Sequence, residues 1–538
     1  MLPIHDVAAH LGLGAEDLIP YGRYKAKIER HVLNRVSPRG KLVLVSAITP
    51  TPAGEGKTTT TIGLGQALQR LGQRVCVALR EPSLGPCFGV KGGGTGGGRS
   101  MIVPSEDINL HFNGDFHAIT AAHNLLAALI DNHLHFRNEP ALDPRKILWK
   151  RVLDVNDRSL RNITLGLGGS AHGVPREGSF DITAASEVMA ALCLAADEAD
   201  LRVRLGRIVV GLGFDGKPVR AAQLGAVGPM MALLKDALLP NLVQTTEGVP
   251  AIVHGGPFAN IAHGCNSLIA TKLALGLADW VVTEAGFGFD LGGEKFFDLL
   301  CTSGGLDVAA VVLVATSRAL RMHGGAPLKA GPDAAAVERG LSNLAKQVEN
   351  VRAFGFNPVV ALNRVDDTEE EIAVVRAWCT AAGVRFALSE HYARGGEGAE
   401  ALAKELMAEG RDGMRPVQAL YPAEVPLVEK IRAIATTIYG AKDVILAKTA
   451  EKDLADLKKM GADLLPVCMA KTQNSLSDDP SLLGAPSGFT LTVRNLQLSA
   501  GAGFIVVLTG EILRMPGLPK LPSALAIDLV DGEVRGLH

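Results

Sequence analysis

A lysine and a threonine set directly behind two closely spaced glycines can hold a polyphosphate and its metal. This chain carries that arrangement at Thr51-Pro52-Ala53-Gly54-Glu55-Gly56-Lys57-Thr58. Gly54 and Gly56 place no Cβ in the way, so successive backbone N–H groups can curl round an anion. Lys57 offers a point charge to β- and γ-phosphates, and Thr58 a hydroxyl to Mg²⁺. The usual pattern is G-x4-G-K-[ST]; here Thr51 occupies the first glycine position. A Gly-Lys-Thr turn can also do no more than cap a helix, so the flanking elements decide between the two readings.

Those elements are a buried strand before the loop and a helix after it. The Val- and Leu-rich run Leu42 to Ile48 has the length and bulk of a parallel strand. Ile62, Leu64, Ala67, Leu68 and Leu71 form the apolar pattern of a following helix. A second strand is expected at Val75 to Leu79. Strand, glycine loop, lysine, helix and strand make a phosphate-binding βαβ unit, and the helix N-terminus adds its positive dipole end. The stretch 51–58 is therefore expected to bind a nucleotide.

Further on, strand-like runs at Ile208 to Leu212, Ala251 to His254, Trp280 to Thr283 and Ala309 to Val314 alternate with helical stretches. A helix-strand-helix-strand run then covers Asp333 to Leu388. Such alternation predicts an α/β fold with a P-loop-type, mostly parallel sheet covered by helices on both faces. Smaller α/β and C-terminal β-containing regions follow. Soft boundaries near 340 and 475 divide the chain into 1–340, a nucleotide core; 341–475, a second α/β region contributing to the acceptor cleft; and 476–538, a strand-rich end. Ligands gather at the C-terminal ends of parallel strands, which draws attention to Arg80-Glu81, His254 to Phe258, Glu284 to Asp290 and the loop from His391 to Gly398.

Two other stretches stand out. Tyr21 to Val36 reads as a basic helix. Glu81 to Ser105, with its glycine cluster, reads as a long loop containing neither helix nor central strand. That loop is either a flexible linker or, through Lys91 and Arg99, an anion-lining segment. His111, His117, His123, His133 and His135 lack metal-ligand spacing on one helix face and read as hydrogen-bonded structural histidines or cleft-lining groups.

Bulk composition narrows the classes. The 54 basic and 56 acidic residues balance, which gives no electrostatic footprint for a nucleic acid or membrane surface. Apolar residues make up 47%, enough for a large core. The seven cysteines are odd in number and form no CxxC pair, as expected of reduced core thiols. No basic segment precedes an apolar leader and no run of membrane-spanning length occurs, so a cytoplasmic chain is expected.

The chain resembles the formate–tetrahydrofolate ligase family over nearly its whole length. The resemblance rests on seven strings: TPAGEGKT (51–58), REPSLGP (80–86), GVKGGGTGGG (89–98), GPFANIAHG (256–264), EAGFGFD (284–290), VATSRALRMHGG (314–325) and MPGLP (515–519). It implies that ATP phosphorylates formate to formyl phosphate, and that tetrahydrofolate then takes the formyl group on N10. It also implies Mg²⁺ and a homotetramer, and leaves room for a monovalent cation. By resemblance, Lys57 and the loop backbone hold the transferring phosphoryl group, Thr58 touches Mg²⁺, Arg80 contacts formyl phosphate, and Phe287 and Gly288 close over the formyl group.

The competing readings are a structural salt bridge to a sheet-end carboxylate for Arg80, core or cleft wall for Phe287, and a helix or loop salt bridge for Glu81, which by resemblance lies near the folate. Glu284, at a strand end, could help hold Mg²⁺ through water. The folate subsite departs from the family, whose pattern places a tryptophan where this chain has Tyr392. In place of the family's N-x-F-x-T-D-T, Asn363 to Thr368 is one residue short and puts Val365 where the aromatic belongs. Two other readings stay open: a P-loop ligase making an acyl phosphate for another acceptor, and a nucleotide-switched binding ATPase. Pro52 argues against the second, because such proteins often carry a lysine there.

Overall fold

A computed structural model describes residues 1–91, 93–510 and 512–537, without the Lys91 side chain; the expected anion-lining role of Lys91 falls outside the described residues. At its centre is a twelve-stranded sheet. Seven strands run parallel in the order Pro250–Val253, Val75–Leu79, Trp280–Glu284, Lys41–Ala47, Ala310–Ala315, Val359–Asn363 and Arg385–Ser389. Antiparallel strands extend one side, beginning with Asn241–Thr245 against Pro250–Val253.

The pleat explains why the strand Lys41–Ala47 is apolar at consecutive positions. Leu42 and Leu44 pack with one core cluster, which includes residues of the helices Leu268–Leu277 and Ala334–Ala353. Val43, Val45 and Ala47 pack with a second, which includes residues of Lys57–Arg70 and Glu400–Glu409. Both faces are dry, as a parallel sheet requires. Each such fully buried side chain contributes about 1.5–3 kcal/mol, so the strand leading into the nucleotide loop is firmly held.

Several elements differ from the sequence expectation. The stretch 21–36 is not one helix: Ala26–Ile28 is a strand paired with Asn241–Leu242, and only Arg30–Arg35 is helical. Lys27 is buried there by an ion pair with Asp115 at 2.7 Å, a partner invisible to local periodicity. The strand expected at Ile208 to Leu212 forms as Val209–Gly213, but in a separate antiparallel sheet with Leu142–Ile147 and Pro218–Arg220. The stretch 81–105 is more ordered than a plain loop. It contains a helical turn at Leu84–Pro86, a π-helical turn at Cys87–Lys91, and a ribbon of Gly96–Gly97 against Ser100–Val103. That ribbon is pinned to Asn241–Thr245.

The helix Ala334–Ala353 runs through residue 340, and the two strands beyond it extend the central sheet. The last part of the chain adds a parallel pair, Asp443–Leu446 with Thr490–Val493, and a three-stranded sheet of Val467–Ala470, Phe504–Leu508 and Asn495–Ser499. Among the described residues no helix is long and apolar enough to cross a membrane.

Candidate functional site

The parallel strands deliver their C-terminal ends to one edge of the sheet, and the nucleotide loop leaves the middle of that edge. Gly54 and Gly56 have φ of +77° and +74°, where a side chain would be strained. Thr51 is not in that region, so its position needs no glycine. Instead its N–H donates to Glu55 Oε1 at 2.7 Å, and its carbonyl accepts from Gly54 N at 3.0 Å. Glu55, 2% exposed, takes the Thr316 hydroxyl on its other oxygen. A buried carboxylate inside the loop thus does the shaping that the missing glycine does elsewhere. Pro52, Ala53, Gly54 and Gly56 remain exposed and Lys57 is half-buried at the helix start, so the mouth faces solvent.

Neighbouring strand ends brace the loop. Asn363 Nδ2 donates to the Glu55 carbonyl and to Thr60 Oγ1, both at 2.9 Å. Arg318 Nη2 donates to the Gly54 carbonyl at 3.2 Å. His323 Nε2 lies 2.9 Å from the Thr49 carbonyl. Sequence reasoning assigned no role to Asn363, Thr316 or Arg318. The signal was available in the rule about strand ends, since Asn363 ends one parallel strand and Thr316 follows another.

Arg80 and Glu284 follow and end the strands on the other side of the loop. Thr58 Oγ1 donates to Glu284 Oε2 at 2.8 Å, and Arg80 Nη2 lies 3.4 Å from Glu284 Oε1. Arg80 Nη1 also donates to the Pro257 carbonyl at 3.3 Å. Gly286 lies so close beneath Arg80 that a Cβ there would sit 3.0 Å from Nη1. The next residue, Phe287, holds φ +59°, which is costly for an aromatic residue and is maintained only where the surroundings enforce it. Gly288 sits against Ile48 O and Thr49 Cα, with a hypothetical Cβ at 3.3 and 3.4 Å. The EAGFGFD turn is therefore packed between Arg80 and the entry to the nucleotide loop.

Tyr392 lies on the glycine ribbon. The Arg99 N–H donates to its carbonyl at 2.9 Å, and a Cβ on Gly97 would meet its ring at 3.0 Å. Tyr392 and Val365 are 61% and 58% exposed, so both present open surface. Their loops are joined, because Arg364 N donates to Ser389 O at 2.9 Å and Arg364 Nη1 to Glu390 at 3.3 Å. The short 364–368 loop is tied inward by Asp366, which accepts from buried Arg321 at 2.7 Å. His391, before Tyr392, is buried, and burial lowers its pKa to about 4, so it stays neutral.

Glu81 directly follows Arg80. It is 5% exposed, and its N–H donates to the Gly255 carbonyl at 2.7 Å. Burial pushes its carboxyl well above the usual range and nearby Asp115 adds to this, while Lys27 opposes it. Its carboxyl is buried beside Asp115, Lys27 and Asp154.

The histidines largely read as structural. His123 bonds Ser186 and the Lys150 carbonyl, and His133 the Pro140 carbonyl. His111 and His117 pair with each other at 2.7 Å. His254 is buried between Ser267 and the Ala237 carbonyl. The seven cysteines are buried thiols.

Fold and loop together define an α/β P-loop nucleotide-binding protein whose phosphate loop adjoins an arginine, a strained aromatic turn and an exposed tyrosine shelf. The family model for formate–tetrahydrofolate ligase matches residues 1–538. A formate–tetrahydrofolate ligase of Maricaulis maris is 57% identical over 541 residues, covering 99% of this chain and 97% of that protein. One from Methylobacterium sp. (strain 4-46) is 58% identical over 544 residues, with the same coverage, and one from Paracoccus denitrificans 56% identical over 544 residues, covering 100% and 98%. The chain belongs to the formate–tetrahydrofolate ligase family.

Proposed function

We propose that this protein ligates formate to tetrahydrofolate at the expense of ATP, through formyl phosphate. The observation that carries this reading, beside family membership, is the single sheet edge shared by Lys57, Thr58, Arg80, Glu284 and Phe287, with Tyr392 on the adjoining loop.

A formate oxygen attacks the γ-phosphorus of ATP and ADP leaves. The N10 amine of tetrahydrofolate then attacks the formyl carbon. The C–O bond to phosphate breaks, inorganic phosphate departs and N10 loses its proton, giving 10-formyltetrahydrofolate. Formate alone would have to expel oxide or hydroxide; formyl phosphate expels phosphate. Catalysis is therefore mostly positioning and charge neutralisation.

Lys57 and the N–H groups of residues 54–58 hold the transferring phosphoryl group. Arg80 offers a planar guanidinium to the paired oxygens of formyl phosphate. Phe287 and Gly288 wall the formyl position and exclude water. Tyr392 offers a face to the flat part of the folate, with Val365 beside it.

The chain's residues fit Mg²⁺. The Thr58 hydroxyl donates a hydrogen bond to buried Glu284, which leaves the oxygen's lone pairs for a cation. When bound, Mg²⁺ neutralises charge on the β- and γ-phosphate oxygens. A monovalent cation and a homotetrameric assembly enter this proposal through the family resemblance alone; a cytoplasmic location is part of it as well.

The test is to supply Mg-ATP, formate and tetrahydrofolate, acidify, and read the absorbance of the methenyl derivative. Product should depend on all three substrates. A Lys57→Ala protein should lose the signal while keeping its melting temperature. ATP turnover without formate or folate would instead support a nucleotide-switched ATPase, and product from another carboxylate would support a different ligase.

A further inference from the structure

Glu284 ends a strand that lies parallel between Val75–Leu79 and Lys41–Ala47. It therefore stands between the strand end carrying Arg80 and the one carrying the nucleotide loop. Its two oxygens are divided between them: Oε2 takes the Thr58 hydroxyl at 2.8 Å, and Oε1 faces Arg80 Nη2 at 3.4 Å. The carboxylate is buried, at 5% exposure, so water screens it little.

Arg80 is held incompletely. Its contact with Glu284 is a single long one rather than a two-pronged fork, and its Nε is buried with no hydrogen-bond partner. Its side chain keeps 22% exposure, so an anion can reach it. A guanidinium with an unfilled donor, half-committed to a carboxylate, is in place to change partners.

We propose that Glu284 is a positioning residue that sets when Arg80 is available to an anion. With the nucleotide loop empty, the carboxylate offsets the Arg80 charge and keeps the site poor at holding a lone phosphate. A divalent cation held at Thr58 would give the Glu284 carboxylate a stronger partner than Arg80. The guanidinium then turns to the phosphate-bearing ligand. The acyl-phosphate pocket is thus armed by the metal–nucleotide complex, which protects against futile binding of free phosphate. This rests on the phosphate and metal roles proposed above for Lys57, Thr58 and Arg80.

The test uses inorganic phosphate as probe, with binding followed by calorimetry. In the native chain, phosphate should bind weakly alone or with ADP, and about fivefold more tightly when Mg²⁺ accompanies ADP. Glu284→Gln keeps the shape and an acceptor for Thr58 while removing the charge. It should bind phosphate about fivefold more tightly without metal, and its ADP complex should bind Mn²⁺, read by paramagnetic resonance, at least tenfold more weakly. The phosphate gain should vanish when Glu284→Gln is added to an Arg80→Ala background. Unchanged phosphate affinity in Glu284→Gln, or a gain that survives loss of Arg80, would overturn the proposal. Should Glu284→Gln not fold, Glu284→Asp withdraws the charge from Arg80 and must shift phosphate binding in the same direction. These readouts need neither formate nor folate, so a failed ligase assay and a failed partner exchange are separate results.

Discussion

Replacing Tyr392 by alanine tests the acceptor shelf most directly. An aromatic residue offers roughly 200 Å², and Tyr392 keeps 61% of its surface exposed while its other side lies on Gly97 and Gly98. A planar ligand stacked on one face covers about half of that exposed part, roughly 60 Å², worth about 1.5 kcal/mol at 25 cal/mol per Å². The stacked geometry adds about 0.5–1.5 kcal/mol. Tyr392→Ala should therefore weaken tetrahydrofolate binding by about 2–3 kcal/mol, roughly 30- to 150-fold. The KM values for ATP and formate should move little, because the nucleotide loop is braced by Asn363, Thr316 and Arg318 rather than by Tyr392. Val365→Phe should act in the opposite sense, lowering the folate KM by about two- to tenfold through a second aromatic face. The assay is initial rates with each substrate varied, beside equilibrium binding of tetrahydrofolate, because KM equals a dissociation constant only when chemistry is slow. An unchanged folate constant in Tyr392→Ala, or an equal rise in the ATP constant, would refute the assignment of this shelf.

Two further outcomes follow from packing and charge. Gly98 has φ +59°, and a Cβ there would lie 2.1 Å from the Tyr392 carbonyl oxygen. Gly98→Ala should cost at least about 1 kcal/mol of stability from backbone strain alone and raise the folate KM by moving the tyrosine; an unaltered melting temperature and KM would show that the ribbon gives way freely. Burial pushes the Asp154 carboxyl up from 3.8 to about 6, against the hydrogen bonds it accepts from Ser83 and Leu84. The folded state favours the protonated acid, so its contribution is full below the unfolded value and is lost as pH rises through about 6. Asp154→Asn should therefore gain stability relative to the native chain, on the order of 2–3 kcal/mol, between about pH 4 and about pH 8. A stability difference that does not change with pH, in denaturation followed at both ends of that range, would contradict this.

What could be read from the chain alone was whatever depends on near neighbours. The glycine loop, its lysine and its flanking strand and helix lie within a few dozen residues, and their pattern is imposed by local backbone geometry and by burial on both sheet faces. The strand Val75–Leu79 was legible for the same reason, and so were the alternation over Asp333 to Leu388 and the post-strand turns at Arg80, Glu284 and His391. The departures at Tyr392 and Val365 were visible as residue types. Partners brought together across the sheet edge were not legible. Glu284 meets Thr58 across 226 residues, and Asn363 meets Glu55 across 308. Strand order decides such meetings, and no periodicity encodes it. The same cause explains the strand at Ala26–Ile28, where pairing and the buried Lys27–Asp115 contact override a helical pattern. It also explains the burial of Glu81, whose carboxyl lies beside Asp115, Lys27 and Asp154, all distant from it in sequence. The sequence alone determined the glycine loop at 51–58 and the strand and helix that flank it; the tertiary structure decided which side chains surround that loop, because sheet order sets which distant strand ends share that edge.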